Sequence, residues 1–336
     1  MTSSKVTLAL PSKGAIADPT MSFLQECGLR VDKPNPRQYT GKIPAIPGVE
    51  VLFQRVNDVV YKVSDGTVEF GITGLDVVRE HPGDDLIVMH PDLRYGYCRL
   101  VVAVPESWID VVTTADLAEV ALDFRENKQR NLRVATKYPM LTRQFFHSWG
   151  IHHFTMVNAE GAIEAAPTIG YADVIVDLAQ TGTTLRENHL KALSDGVMVE
   201  SQACLIANRT ALTSPGVLEI ARRLLERIDA ALIGREYSQL SVNIHGESAE
   251  SVAQKVAQNP LTHGLKGPTI APVFGTDDGD SGWFTVGITI PSKSLLSAVE
   301  YLRSIGATQA IVVPVRYLFL ESSPSFTRLC AQLDTR

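Results

Sequence analysis

The stretch DVIVDLAQTGTTLREN, residues 173–188, sets a short apolar run against a Thr-Gly-Thr-Thr segment and then begins a helical pattern. The run between Asp173 and Asp177 reads as a buried parallel strand, because strands covered on both faces are almost continuously apolar. Such a strand delivers Asp177 to the C-terminal edge of an open α/β sheet, where ligands bind. In the segment that follows, Gly182 permits a tight backbone and successive N–H groups converge on one anion. The hydroxyls of Thr181, Thr183 and Thr184 add donors at the positive end of a helix dipole. A carboxylate just ahead of this cradle is placed to bind the vicinal hydroxyls of a ribose whose phosphate sits in it. The competing reading is that these threonines merely cap a loop and a helix.

Outward from this stretch, apolar runs alternate with helical segments, the pattern of an α/β chain. KVTLAL (Lys5–Leu10), VEFGIT (Val68–Thr73) and YCRLVVAVP (Tyr97–Pro105) read as strands, and ADPTMSFLQECG as a helix with Asp18 at its N-cap. A second series follows Pro105: LRVAT, a helix around LTRQFFHSWG, FTMVN, a helix around AIEAAPTIG, and DVIVD. The chain returns through VMVES and ACLIANR to an amphipathic helix over Pro215–Leu232. This predicts a first lobe of residues 1–105 with a return segment 200–234, a second lobe of 106–199, and a cleft between them. Residues 235–336 alternate as β-α-β-β-α-β, which is the ferredoxin-like order. Within it TDDGDSG (276–282) lacks the ligand spacing of an EF-hand and reads as a solvated hairpin.

Composition narrows the function. A chain of 336 residues, 45% hydrophobic, buries more than one core, and its net charge of −6 argues against a nucleic-acid partner. The N-terminus enters a strand pattern at once, with no apolar stretch long enough to export or insert the chain, so a cytoplasmic protein is expected. The four cysteines lie far apart with no CxxC spacing and read as reduced thiols. HSWGIHH (147–153) lacks an acidic companion at metal-site spacing and reads as structural. Neither a GxxxxGK[ST] nor a GxSxG motif occurs.

Taken together, GAIEAAPTIGYADVIVDLAQTGTTLRENHL resembles the signature of the ATP phosphoribosyltransferase family. LALPSKG, FQRVNDVVYKVSDGTVEFGITGLDVV, RVATKYPMLTRQFF, GLKGPTIAPV and LRSIGATQAIVVPV extend the likeness over nearly the whole chain. The resemblance is to the long form and implies a periplasmic-binding-protein-like catalytic region with two lobes, followed by a ferredoxin-like, ACT-like regulatory domain. It implies displacement of pyrophosphate from C1 of phosphoribosyl pyrophosphate by N1 of ATP, the first step of histidine biosynthesis. It further implies Mg2+, feedback inhibition by histidine, and a homo-oligomer, dimer or hexamer. On the matching segments, Lys13 and Arg55 are candidates to neutralise the leaving pyrophosphate. Glu164 and Asp177 are candidates to hold the ribose as its anomeric carbon becomes cation-like. Asp76, Arg99 and Tyr138 are candidates for the nucleotide, and Asn243, Thr269 and Ala271 for histidine. The chain departs from the family pattern at Ala15, where an Arg is common, and at Gly267, where a Ser is usual. Two other readings stay open at this point, a small-anion binding protein with a two-lobed cleft and a catalytically inactive paralogue.

Overall fold

The structure, a computed structural model, describes residues 5–35, 38–159, 161–274 and 282–334. The chain divides into two compact units, Met1–Ala221 with Arg328–Arg336, and Arg222–Thr327.

The first unit opens with β1 (Val6–Pro11), α1 (Ala17–Glu26), β2 (Thr40–Lys42), β3 (Val49–Gln54), α2 (Val56–Ser64), β4 (Phe70–Gly74), α3 (Leu75–Glu80) and β5 (Leu86–His90). It continues through β6 (Cys98–Pro105), α4 (Thr114–Glu126), β7 (Leu132–Thr136), α5 (Pro139–Ser148), β8 (Phe154–Asn158), β9 (Val174–Ala179), α6 (Thr183–Glu187) and β10 (Leu190–Ser201). Then comes β11 (Ala203–Asn208), and the long α7 (Pro215–Gly234) runs from the first unit into the second. These strands build a six-stranded sheet, β2-β3-β1-β4-β11-β5, and a five-stranded sheet, β10-β6-β9-β7-β8. The expected first lobe ended after Pro105, whereas the sheet order puts β6 inside the second sheet, between β10 and β9. The chain therefore changes sheets before β6 and again between Ser201 and Ala203. The two crossing segments are hydrogen-bonded side by side, Leu93 N–H to the Ala203 carbonyl at 2.9 Å and Ala203 N–H to the Tyr95 carbonyl at 3.0 Å.

The second sheet is covered on both faces, which explains the apolar runs. Leu100, Val102, Val104, Val134, Val174 and Val176 pack with Leu117, Phe124 and Phe146 of α4 and α5. Their alternates Val101, Ala103, Ala135 and Ile175 pack with Ile163 and Leu185 on the other side. β9 is parallel to β7 and antiparallel to β6, so the strand expected to be parallel has one neighbour of each kind.

Two local expectations are corrected. The N-cap of α1 is Ile16, and Asp18 lies in the first turn, where its charge still suits the dipole. The helix expected around AIEAAPTIG is only a 3-10 turn, Ile163–Ala165. Ala162 ahead of it is left-handed at φ 45°, and Pro167 two residues beyond cannot supply the N–H that continuation requires. None of the four cysteines is joined in a disulfide. No described helix is long and apolar enough to cross a membrane.

The second unit contains β12 (Tyr237–His245), α8 (Ala249–Val256), β13 (Thr269–Pro272), β14 (Trp283–Pro291), α9 (Leu295–Ser304) and β15 (Ala307–Pro314), and α10 (Pro324–Asp334) follows in the chain. The sheet order β13-β14-β12-β15 is antiparallel throughout, the ferredoxin-like arrangement. Leu240, Val242 and Ile244 alternate inward against Val252 and Val256 of α8 and Ala298 and Leu302 of α9. Most of the hairpin expected at 276–282 lies outside the described residues.

Candidate functional site

Parallel strands of both sheets in the first unit end at a common cleft of about 440 Å³. β1 leads to Lys13, β4 leads to Asp76, β7 leads to Tyr138, and β9 carries Asp177 near its end; all four residues line the cleft. Glu164 from the 3-10 turn and Thr181, Gly182, Thr183 and Thr184 from the loop after β9 complete it. Nine sequence-predicted site residues thus meet at one place, although they are spread over most of the first unit.

The loop has the shape that its residues suggest. Gly182 is left-handed at φ 72° and stands at the N-cap of α6, where the Thr181 hydroxyl accepts the Thr183 N–H at 3.4 Å. A Cβ built on Gly182 would meet no protein atom within 4 Å, so glycine is needed here for its backbone conformation and for the open space above it. The hydroxyls of Thr181 and Thr183 are 2.9 Å apart, and Arg186 reaches the Thr183 hydroxyl at 3.4 Å. Backbone N–H groups of a helix start, hydroxyls and one guanidinium therefore gather at a single exposed point.

The Asp177 carboxyl is raised from its ordinary value, chiefly by burial and further by the Glu164 charge. The Leu178 N–H, which it accepts at 2.8 Å, and the charge of Lys137 oppose the rise. Lys137 was missed in the sequence, yet the register gives it away: Thr136 is paired with Val176, so the next residues along parallel β7 and β9 are Lys137 and Asp177. A desolvated carboxylate with a second acid nearby is a favourable partner for hydroxyl donors or for a cation. Asp177 and Glu164 supply two hard oxygen donors, which suits a magnesium ion that keeps waters and substrate oxygens in its remaining positions. Among the described residues no group of three or more metal-ligating side chains forms.

Facing this acid pair is a second, drier group. Asp76 is 4% exposed and accepts from the Tyr138 hydroxyl at 2.6 Å and from the Ser201 hydroxyl at 2.6 Å. Ser201 in turn accepts the Asp76 N–H at 2.9 Å. A Cβ on Gly74 would lie 2.4 Å from Asp76 Oδ1, so only glycine lets the carboxylate fold back against the start of α3. Burial, reinforced by Asp76, raises the Tyr138 hydroxyl far above its usual range and keeps it a donor. Burial also pushes the adjacent Cys98 thiol up to about 11. Ser201 lies in no family-like segment, whereas Lys137 stands beside Tyr138 within RVATKYPMLTRQFF.

Other candidates fall elsewhere. Arg55 is the exposed, extended N-cap of α2; it does not line the cleft, but its neighbour Val56 does. Arg99 is exposed on β6 between Glu200 and Ala179, and the cleft takes its neighbour Cys98 instead. In the second unit, Asn243 pairs with Thr285 and Thr285 with Ala271, so these residues form one row across three strands. The Thr285 hydroxyl donates to Asn243 Oδ1 at 2.7 Å, and Thr269 lies two residues along β13 from Ala271 on the same face.

Fold and site together define a two-lobed α/β protein whose strand ends meet at a cleft, joined to a ferredoxin-like domain. Family models agree: that for ATP phosphoribosyltransferase matches residues 55–230, and that for the HisG C-terminal domain matches residues 234–317. ATP phosphoribosyltransferase 2, chloroplastic, of Arabidopsis thaliana is 41% identical, covering 98% of this chain and 81% of its own. The ATP phosphoribosyltransferase of a Bradyrhizobium species is 37% identical over 98% of this chain and 99% of its own. Among solved structures, the ATP phosphoribosyl transferase (HisG:HisZ) complex of Thermotoga maritima matches in fold with a TM-score of 0.52. That match has 24% identity and covers 66% of this chain and 96% of the other. The chain belongs to the ATP phosphoribosyltransferase family in its long form, and is a phosphoribosyl-transferring enzyme of histidine biosynthesis.

Proposed function

We propose that the cleft joins N1 of the adenine of ATP to C1 of phosphoribosyl pyrophosphate. The N1 lone pair forms the new C–N bond, and the C1–O bond breaks with its electrons leaving on pyrophosphate. The Thr181–Thr184 loop holds the sugar phosphate through backbone N–H groups and hydroxyls. Asp177 accepts the ribose hydroxyls, and Glu164 adds negative charge near the carbon that becomes cationic. Lys13, with Arg55 from the cleft rim, offsets the charge on the departing pyrophosphate. Asp76 and Tyr138 form the nucleotide wall, with Arg99 as an outer contact. A magnesium ion brought in with the pyrophosphate group would be held by Asp177 and Glu164, and supplies further charge neutralisation when bound.

The observation that carries this reading is the convergence of Asp177, Glu164 and the Thr-Gly-Thr-Thr loop with the Asp76–Tyr138 pair around one cavity of about 440 Å³. A receptor for a simple anion has no use for a ribose-directed carboxylate beside the phosphate loop. The test incubates the protein with ATP, phosphoribosyl pyrophosphate and magnesium and follows the ultraviolet spectrum of N1-substituted adenine. Product should form only with both substrates present and should cease on chelation of the metal. ATP hydrolysis without the sugar donor would overturn the reading.

We further propose that the row Asn243, Thr269 and Ala271 receives histidine as an inhibitor, that the protein works in the cytoplasm, and that it is a homo-oligomer, dimer or hexamer. Histidine titrated into the assay should slow the reaction, and an unchanged rate removes that assignment. Light scattering that returns the mass of one chain removes the oligomer.

A further inference from the structure

Helix α5 begins without a cap from its own N-terminal residues. Tyr138 at the N-cap makes no side-chain capping bond, and Pro139 at the first position has no N–H. The N–H groups of Met140 and Leu141 are the orphan donors that any helix start leaves. Both are taken by one carboxylate from another element: Glu80 of α3 accepts Met140 N–H at 2.7 Å and Leu141 N–H at 2.9 Å. Glu80 is only 4% exposed. A buried acid is costly to desolvate unless its oxygens are satisfied, and here two N–H donors and the positive end of a helix dipole satisfy them.

Glu80 stands four residues after Asp76, so the two acids share one face of α3. Asp76 holds the hydroxyl of Tyr138, and Glu80 holds the helix that Tyr138 introduces. A third tie, Tyr138 N–H to the Thr136 hydroxyl at 2.9 Å, fixes the backbone at the same point. The ring thus has little freedom so long as α5 stays anchored to α3. The phosphate loop is held differently. Tyr138 and Phe146 belong to the core on one face of the second sheet, whereas Leu185 of α6 belongs to the core on the opposite face.

We infer that Glu80 is a positioning residue for the nucleotide, acting through Tyr138: by capping α5 from the other lobe it sets where the tyrosine wall of the cleft stands, without setting the phosphate loop. This rests on the reading of Tyr138 as part of the nucleotide wall. A cap of purely structural value would lower stability and disturb both substrates or neither.

The test measures binding of ATP and of phosphoribosyl pyrophosphate separately by calorimetry, with turnover in parallel, for wild type, Glu80→Gln, Glu80→Asp and the same changes combined with Tyr138→Phe. Glu80→Gln keeps one good acceptor and turns an amide N–H toward the other donor, so affinity for ATP should fall about three- to tenfold. Affinity for the sugar donor should stay within about twofold. In the Tyr138→Phe background the same change should cost ATP affinity clearly less, because the ring has already lost its tie to Asp76. Glu80→Asp keeps the charge and should lie between wild type and the Gln variant. Equal loss for both ligands, no loss for ATP, or strictly additive effects would overturn the inference. Wild type that fails to make product overturns the proposed reaction instead, and the two failures are told apart by that control. If Glu80→Gln does not fold, Glu80→Asp with the same pair of titrations decides.

Discussion

The hydroxyl of Tyr138 lies 2.6 Å from Asp76 Oδ2, although 62 positions separate the two residues in the chain. Replacing Tyr138 by Phe removes one donor from a buried carboxylate and leaves Ser201 as the other. Unfolding in urea should show a loss of about 1–2 kcal/mol, and Ser201→Ala should cost a similar amount. Because the two hydroxyls serve the same acid, the double variant should lose more than the sum of the single ones.

Asp177→Asn should separate function from stability. The acid binds its proton more tightly in the folded chain, so ionising it costs stability at neutral pH, and that cost fades as pH falls toward the unfolded value of 3.8. The variant should therefore melt no lower than wild type at pH 7. Its kcat/KM for the sugar donor should drop about tenfold to a hundredfold, the equivalent of one charged hydrogen bond. In wild type, donor binding should weaken as pH falls through a value above 3.8, and the variant should lack that acidic limb. Full activity in the variant would mean that the ribose lies elsewhere.

Gly182→Ala places a methyl group in open space but forces a left-handed alanine at φ 72°. Stability should fall by only about 1 kcal/mol. The KM for the sugar donor should rise at least about tenfold, as the methyl occupies the cradle and the strain displaces its N–H groups. A stability loss without a change in KM would show that the loop serves the fold alone.

Asp173 provides a control at the opposite end of the same strand. It accepts from Arg130 at 2.6 Å and from Arg133 at 3.0 Å, and its side chain is 9% exposed. Burial favours the protonated form, but these two guanidinium groups and the Arg133 N–H outweigh it and hold the carboxyl well below the usual range. A lowered carboxylate contributes stability that is full above the unfolded value of 3.8 and is lost as pH falls toward the folded value. Asp173→Ala should cost about 2 kcal/mol at pH 7, since both guanidinium groups are partly solvated, and the gap to wild type should narrow below pH 4. Denaturant melts at pH 7 and pH 3.5 measure both, and turnover of the folded variant should be nearly normal.

Much of the site was legible in the chain because its chemistry is local. Asp177, Gly182 and the three threonines are neighbours on one strand and the loop after it, so their juxtaposition follows from short-range geometry and survives folding unchanged. The C-terminal ferredoxin-like domain was legible for a related reason: Leu240, Val242 and Ile244 alternate with polar residues, and that period sends one face to the helices. Glu164 lines the cleft, but from a single turn in place of the expected helix, since a proline two residues past that turn outweighs a run of good helix formers.

What the chain could not disclose depends on register and on burial across the two lobes. Arg55 and Arg99 carry the right charge in family-like segments, but Arg55 caps α2 at the rim and strand alternation exposes Arg99 on β6 while Cys98 reaches the cleft. Glu80 and Ser201 lie in no family-like segment, and Lys137, although it lies in one, carried no assignable role; each acquires its place only when another segment arrives: α5 above Glu80, α3 beside Ser201, β9 alongside Lys137. The sequence alone settles where the glycine-centred Thr181–Thr184 loop forms and which faces are apolar, because steric and hydrophobic preferences act over a few residues. Which acids end up buried, and whose donors they satisfy, is decided by the tertiary structure, because desolvation and hydrogen bonding depend on neighbours supplied from distant parts of the chain.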